Sequence, residues 1–501
     1  MWLLWLILLV IAGLLFYQYG IVRRRLPPGP FPLPLVGNSL SLRGVDRWEE
    51  KFLEWRQKYG PVYTFFSGPL AIVTVNDLDL MQQVDGDTYN EKFKMKALFE
   101  LTRGGDYGLV ATDGDLWREQ RRFALRTLRD FGLGKDEMSR RILEEVQYLC
   151  STINRQLEGG TAEFENFHKL TDIAVGSVIN SFLAGYRFSD GKEEEFYKLK
   201  QTLDKVMKSF ADPFVLMGIL SDWLRGLPVF KQRVARSIGL MNEIFDFMRS
   251  VVDKHEQQSD YETMEEPADF IDAFLMEKNK LDKAGESHFF SRIQLLNACL
   301  DMWIAGQETS SHTITWAIAL LIVHPEIQRR VQKELDEQVG SDRLVRVSDR
   351  PNLPFLNACI MEVQRWANIV VLNQLRVATK DIEVGGVRIP KGAAVSPQIA
   401  VVMCNPKYFA DPKRFNPTRF LDESGRVKHP EELVPFSLGK RACLGESLAK
   451  MELFLFIGNL FHQYRFSAAK QPPSLKRQES GASMGTEPYA CRVERRFRDS
   501  A

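Results

Sequence analysis

No CxxC pair and no cluster of cysteines occurs in this 501-residue chain; Cys150, Cys299, Cys359, Cys404, Cys443 and Cys491 stand far apart. That spacing excludes zinc ribbons and dithiol redox motifs, and reads as six reduced thiols facing the cytosol. Net charge is missing too. With 66 Lys and Arg against 65 Asp and Glu, the chain offers no general electrostatic basis for binding nucleic acid. There is no nucleotide motif, because Gly132-Leu133-Gly134 is followed by Glu137 where the third glycine of GxGxxG would stand, and no P-loop occurs. No Asn-x-Ser/Thr acceptor is present, since Pro417 disqualifies Asn416-Pro417-Thr418. One hydrolase motif does match, Gly481-Ala482-Ser483-Met484-Gly485. It lacks a strand-to-helix elbow, and the last histidine, His462, precedes the serine, so the Ser, acid, His order of that fold is broken.

What is present begins with an uncharged apolar run from Met1 to Val22. Its roughly 22 residues, at about 1.5 Å each, reach about 33 Å, enough for a hydrocarbon core of about 30 Å. Trp2, Trp5, Tyr17 and Tyr19 near its ends suit interfacial anchoring. A basic n-region and a small-x-small cleavage site are both absent, which favours an uncleaved anchor over a signal peptide. Arg23-Arg24-Arg25 then places the body of the chain on the cytosolic side. Leu26 to Pro34, with prolines at 27, 28, 30, 32 and 34, cannot be helix or central strand and is expected to be a stiff, extended spacer.

Beyond the hinge, 23–44, the pattern from 45 to 501 reads as one large, mainly helical domain with small β-sheets. Helical periodicity covers 45–59, 116–130, 135–157, 164–183, 193–210, 231–255 and 293–323, the last ending at Pro325. β-rich runs at 62–66 and 71–75 flank Ser67-Gly68-Pro69, a second β region falls around 385–396, and 257–267 is a polar surface loop.

The chemistry concentrates around Phe436-Ser437-Leu438-Gly439-Lys440-Arg441-Ala442-Cys443-Leu444-Gly445. Cations and a nearby helix start are conditions that stabilise a thiolate, and the two glycines let backbone pass close to something large and flat. In the middle of the longest helix stands Ala305-Gly306-Gln307-Glu308-Thr309-Ser310, a polar cluster between apolar turns. Gly306 weakens the helix there and Thr309 is expected to bond back to a carbonyl; a groove over a cofactor would explain both. Glu362-Val363-Gln364-Arg365 puts opposite charges on one helix face, and Trp117 and Arg121 lie one turn apart.

The pattern FxxGxRxCxG, filled by Phe436, Gly439, Arg441, Cys443 and Gly445, resembles the haem-ligand signature of the cytochrome P450 family. The order of motifs agrees: anchor and proline hinge, Trp117-x-x-x-Arg121, the Ala305–Ser310 oxygen-site motif, Glu362-x-x-Arg365, and Pro417-Thr418-Arg419-Phe420 ahead of the cysteine. Ser310 replaces a commoner threonine, and no proline precedes Arg376 in Gln374-Leu375-Arg376.

The resemblance implies a cytochrome P450 fold preceded by one transmembrane helix, with haem b held by Cys443 as axial thiolate. Trp117, Arg121 and Arg376 would meet its propionates, with Phe436 and Arg441 beside the ligand loop. Glu308 and Thr309 would be the acid–alcohol pair handling protons during oxygen activation. Glu362, Arg365 and Arg419 would form a structural ion network. Tyr107, Asp301, Trp303, Ile304 and Ala305 would line a substrate pocket from one side, and Ile369, Val370, Leu372 and Met484 from the other.

The implied activity is monooxygenation of an apolar substrate, a xenobiotic, fatty acid or steroid, at the endoplasmic reticulum membrane. With no nucleotide site of its own, the chain would take NADPH electrons from NADPH-cytochrome P450 reductase, with cytochrome b5 as an additional donor. Arg118, Arg122, Arg126 and Arg129 form a basic stripe that, with Lys440 and Lys450, suits an acidic donor. A haem-thiolate isomerase or dehydratase working without O2, and a haem-binding sensor, are the alternatives on the same fold; neither needs a proton relay such as Glu308-Thr309.

Overall fold

The structure, a computed structural model, describes residues 20–33, 36–84, 91–94, 96–132, 136–210, 212–480 and 483–497, with Trp2, Trp5, Leu9 and Gly13. The expected anchor, 1–22, therefore lies mostly outside the described residues. Among those described, no helix is long and apolar enough to cross a membrane. Among the described residues the fold is mainly helical with four small sheets, and the chain divides into two compact units. One comprises Met1–Phe93, Val370–Arg414 and Pro430–Cys443; the other comprises Lys94–Ile369, Phe415–His429 and Leu444–Ala501.

In the first unit the helix Trp48–Tyr59 ends at Gly60, whose φ of 96° suits only glycine comfortably. Strands Val62–Ser67 and Leu70–Val75 then pair as an antiparallel hairpin, Val62 opposite Val75. The proline-rich segment is extended, as its prolines require, but it is no detached spacer. Pro27, Gly29, Pro30 and Pro32 are buried, and the Thr64 amide donates to the Pro28 carbonyl (2.8 Å). A Cβ on Gly29 would stand 1.8 Å from the Thr64 carbonyl oxygen, so only glycine permits this approach. The second β region also departs from expectation. Ile382–Val384 and Val387–Ile389 form their own hairpin around Gly385 and Gly386, whereas Ala394–Pro397 joins the first sheet, parallel to Leu70–Val75. Arg376–Val377 pairs with that strand on its other side. Parallel partners this far apart in sequence leave no local turn signal to read.

The second unit is built on the helix Arg292–Val323, capped by the Ser291 side chain and ended before Pro325. It packs most extensively against Phe167–Ala184. Around them stand Gly114–Asp130, Asp136–Glu158, Glu193–Phe210, Pro228–Gln258, Phe270–Ala284, Pro325–Gln338, Pro354–Ala367 and Glu446–Gln463. Gly114–Asp130, Asp136–Glu158, Glu193–Phe210 and Pro228–Gln258 answer to expected periodic stretches, because each presents an apolar stripe to one shared core that includes Ile142, Phe182, Leu203, Ile244, Trp316 and Phe456, whereas Phe270–Ala284 and Pro325–Gln338 are not among the expected helices. Two short sheets complete the unit: Cys491–Arg495 between Glu163–Phe164 and Tyr464–Ala468, and the hairpin Arg477–Ser480 with Ser483–Thr486.

Candidate functional site

The cysteine loop belongs to the first unit. Ser437 and Gly439 adopt positive φ (64° and 70°), reversing the chain so that the Cys443 amide donates to the Phe436 carbonyl at 2.9 Å. Two side chains brace the loop. Asn373 Nδ2 donates to Ser437 Oγ (2.9 Å), and buried Arg376 reaches the Leu438 carbonyl with Nη2 (3.4 Å). Arg376, expected to meet a haem propionate, here braces the loop; Asn373 carried no sequence signal. Phe436 and Arg441 are half-buried, whereas Cys443 is exposed. The contrast with the other cysteines is chemical. Burial pushes the thiols of Cys150 and Cys491 up to about 12 and raises those of Cys299 and Cys359 as well, so these four stay protonated at neutral pH.

The other candidate surface lies on the helix Arg292–Val323 in the second unit. From Gln294 to Ile322 every residue is buried except Ile304, Ala305, Gly306 and Thr309, with Ala305 exposed. Thr309 Oγ1 donates to the Ala305 carbonyl (2.8 Å), the back-bond expected of it. The reason for Gly306 differs from expectation. A Cβ there would meet Ile179 Cγ1 at 2.8 Å, so the glycine permits close helix packing rather than opening a groove. Gln307 and Glu308 point to buried faces, and Ser310 Oγ donates to Glu452 at 2.5 Å. Burial drives the Glu452 carboxyl up to about 8, with the Ser310 hydroxyl pulling the other way.

Helical rotation separates the expected pocket residues. Ile304 and Ala305 lie on the accessible turn, while Trp303 is fully buried in the core. Asp301 is engaged elsewhere: Oδ1 takes the Arg103 guanidinium (2.6 Å), and Oδ2 takes the Leu109 and Val110 amides (2.8 and 2.9 Å). It holds down the loop that carries half-buried Tyr107. Ile369 and Met484 are half-buried and joined by Met484 N–H donating to the Ile369 carbonyl (2.9 Å). Val370 and Leu372, both half-buried, belong to the first unit.

Trp117 and Arg121 are brought together on Gly114–Asp130, the guanidinium 5.6 Å from the indole ring centre. Glu362 is wholly buried. It accepts from Arg365 Nε and Nη2 (2.7 and 2.8 Å), from Arg419 Nε (3.2 Å) and from the Asn416 amide (2.8 Å). Along the basic stripe, Arg118, Arg122, Arg126 and Arg129 are all accessible, although Arg118 pairs with Asp115 and Arg126 with Glu277. The described residues also bring His255, Asp269 and Asp272 within metal-ligand reach of one another. His255 and Asp269 form an ion pair, while Asp272 accepts from the Tyr261 hydroxyl and the Ala268 amide. Burial works against the His255 charge, but the Asp269 carboxylate at 2.8 Å outweighs it and holds His255 up to about 9.

Sequence order hid one further pairing. Ser483, the serine of the hydrolase-like motif, lies with Oγ 2.7 Å from Nδ1 of His312, on the long helix. Both side chains are buried, and the imidazole's Nε2 faces Gly485. Gly481 and Ala482 lie outside the described residues.

Residues 27–493 match the family model for cytochrome P450. Among curated proteins, the chain is 37% identical over 474 residues to cytochrome P450 2J5 of Mus musculus, covering 91% of this chain and 90% of the relative. It is 34% identical over 453 residues to cytochrome P450 2G1 of Oryctolagus cuniculus, with coverages of 90% and 89%. With cytochrome P450 2B4 of Oryctolagus cuniculus the identity is 33% over 502 residues, with coverages of 97% and 98%.

Proposed function

The chain belongs to the cytochrome P450 family of haem-thiolate monooxygenases, and from that premise we propose that Cys443 is its thiolate, in an enzyme oxidising apolar small molecules at a membrane surface. The observation that carries the assignment is the exposure of Cys443, set against the deep burial of four of the other five cysteines. The donor chemistry fits haem. Cys443 would supply the thiolate, in a loop with Lys440 and Arg441; Arg376 would be a carboxylate partner, and Trp117 and Arg121 offer an N–H and a guanidinium from one helix face.

When bound, the haem supplies dioxygen activation, and thiolate ligation favours O–O cleavage. The chain's own residues do the rest. Thr309, its hydroxyl hydrogen given to the Ala305 carbonyl, presents oxygen lone pairs that can accept from water or substrate on the accessible turn. Glu308, next to Thr309 in the chain but turned to a buried face, would be the carboxyl that supplies protons toward it. Ala305, with its small side chain, leaves room for substrate beside Thr309. The apolar remainder of the proposed pocket in the second unit, Ile304, Ile369 and Met484, suits a xenobiotic, fatty acid or steroid. Tyr107 would close it from the loop held by Asp301.

Electrons would come from NADPH through NADPH-cytochrome P450 reductase, with cytochrome b5 as a second donor, docking on Arg122 and Arg129 and their neighbours. Residues 1–22 would anchor the enzyme in the endoplasmic reticulum with its body toward the cytosol. The test is spectral. The reduced, purified protein should give a red-shifted Soret band with carbon monoxide, and Cys443→Ala should abolish it. A wild-type protein that binds haem without that band overturns the assignment. Product formation should require NADPH, reductase and O2; turnover of a peroxide substrate with none of them would favour an isomerase.

A further inference from the structure

Four residues of the helix Arg292–Val323, namely Ala305, Thr309, His312 and Trp316, recur at steps of four, three and four and so lie along one face. The first two are the accessible turn. The next two are covered by the strand Ser483–Thr486, so this strand ends the accessible face like a wall. We propose that His312 and Trp316 are positioning residues that set which molecules fit over Ala305 and Thr309, by holding residues 483–485 and, through them, Met484 and Ile369. The proposal rests on the reading of the accessible turn as part of the substrate site.

Both backbone polar groups of Met484 are bonded outside the hairpin. Trp316 Nε1 donates to the Met484 carbonyl (3.0 Å), and the Met484 amide donates to the Ile369 carbonyl (2.9 Å). On one side Ser483 Oγ lies 2.7 Å from His312 Nδ1; on the other, a Cβ on Gly485 would stand 3.3 Å from His312 Nε2, so the strand lies flat on the imidazole. Burial pushes the His312 ring down to about 4, which keeps it a neutral hydrogen-bonding partner throughout the working pH range. Trp316 is itself seated by Trp366, ring centres 5.7 Å apart at 61°, on the helix Pro354–Ala367. That helix is followed directly by Asn368 and Ile369, and Arg477 at the far end of the hairpin donates to the Ala367 carbonyl (2.7 Å). Hairpin, helix and the 368–369 turn thus form one closed set of bonds. The Met484 and Ile369 side chains are left half-buried at its edge. A shift of about 1 Å in such a wall is enough to change how a bound molecule is aimed.

The experiment compares wild type, Trp316→Phe and Ser483→Ala as haem-loaded full-length protein. Ser483→Ala removes one hydrogen bond and keeps the backbone; Trp316→Phe removes one together with the pyrrole part of the indole, keeping an aromatic ring. Spectral titration with imidazole and with 4-phenylimidazole gives a ratio of affinities, which reads the space over the accessible turn without requiring turnover. Losing one bond should change that ratio by about fivefold in at least one variant, and backbone amide exchange over 483–486 should accelerate by a similar factor. The carbon monoxide band should be unchanged. If both variants keep the wild-type ratio while their exchange accelerates, the strand is held as described but does not set specificity, and the proposal is overturned. If exchange is unchanged, the bonds do not fix the strand, and it is equally overturned. A wild type lacking the thiolate band defeats the functional reading itself, so the two failures are distinguishable.

Discussion

Replacing Glu452 by Gln should make the protein more stable at alkaline pH and leave it little changed in acid. Glu452 is a carboxyl in the middle of the helix Glu446–Gln463, fully enclosed, accepting from Ser310 Oγ at 2.5 Å. Burial holds it protonated up to about pH 8, against an ordinary value of 4.5. An acid whose folded pKa is raised binds its proton more tightly in the native state. Stability is therefore full below about pH 4.5 and falls as pH climbs toward 8, because the unfolded chain gains by ionising and the folded one does not. Each pH unit in that window costs about 1.4 kcal/mol, so the loss from pH 5.5 to 7.5 is on the order of 3 kcal/mol. Gln is isosteric, keeps an acceptor for Ser310 and cannot ionise, so the variant escapes the loss. With an unfolding entropy of roughly 2 cal/mol/K per residue, a chain of 501 residues should show this as a Tm advantage growing by about 3 °C over those two pH units. Differential scanning calorimetry of both proteins at pH 5.5, 6.5 and 7.5 measures it. A Tm difference that stays constant, or shrinks as pH rises, would refute the reasoning.

Arg365→Ala should cost about 3–5 kcal/mol, because it leaves the buried Glu362 with Arg419 and one amide alone; urea denaturation of freshly folded protein gives the value. Gly306→Val should be worse tolerated than Thr309→Val, since its branches must displace Ile179, already 2.8 Å from a simple Cβ; yield of folded protein and Tm rank the two. Asp301→Asn should lose about 2 kcal/mol and free the loop at 104–110, because an amide cannot accept from Arg103 and two backbone amides at once. Limited proteolysis in that loop should quicken, and an unchanged pattern would count against the anchoring role of Asp301.

Much of the second unit is readable from sequence because its information is local. The helix Glu193–Phe210 falls at the bounds expected from periodicity, and Arg292–Val323 begins one residue before its expected start, since caps, prolines and apolar stripes act within a few residues. Of the candidate site, the pairs that share a helix are equally legible: Trp117 with Arg121, Glu362 with Arg365, and Thr309 with the Ala305 carbonyl. The proline-rich segment shows the limit of that logic. Its extended conformation follows from proline itself, but its burial follows from Gly29 meeting Thr64, which no local rule contains.

The sequence by itself determined the chemistry on offer: a cysteine among glycines and cations, an acid–alcohol turn inside an apolar helix, and the lack of any nucleotide site. Tertiary structure decided which groups are available. It exposes Cys443 while raising the thiols buried elsewhere, commits Asp301 to a loop, explains Gly306 by helix packing, and gives Ser483 a histidine 171 positions earlier in the chain. The division has one physical cause. Residue type and short spacing set backbone preference and intrinsic reactivity, whereas burial, close approach and long-range hydrogen bonding exist only once distant segments share a core.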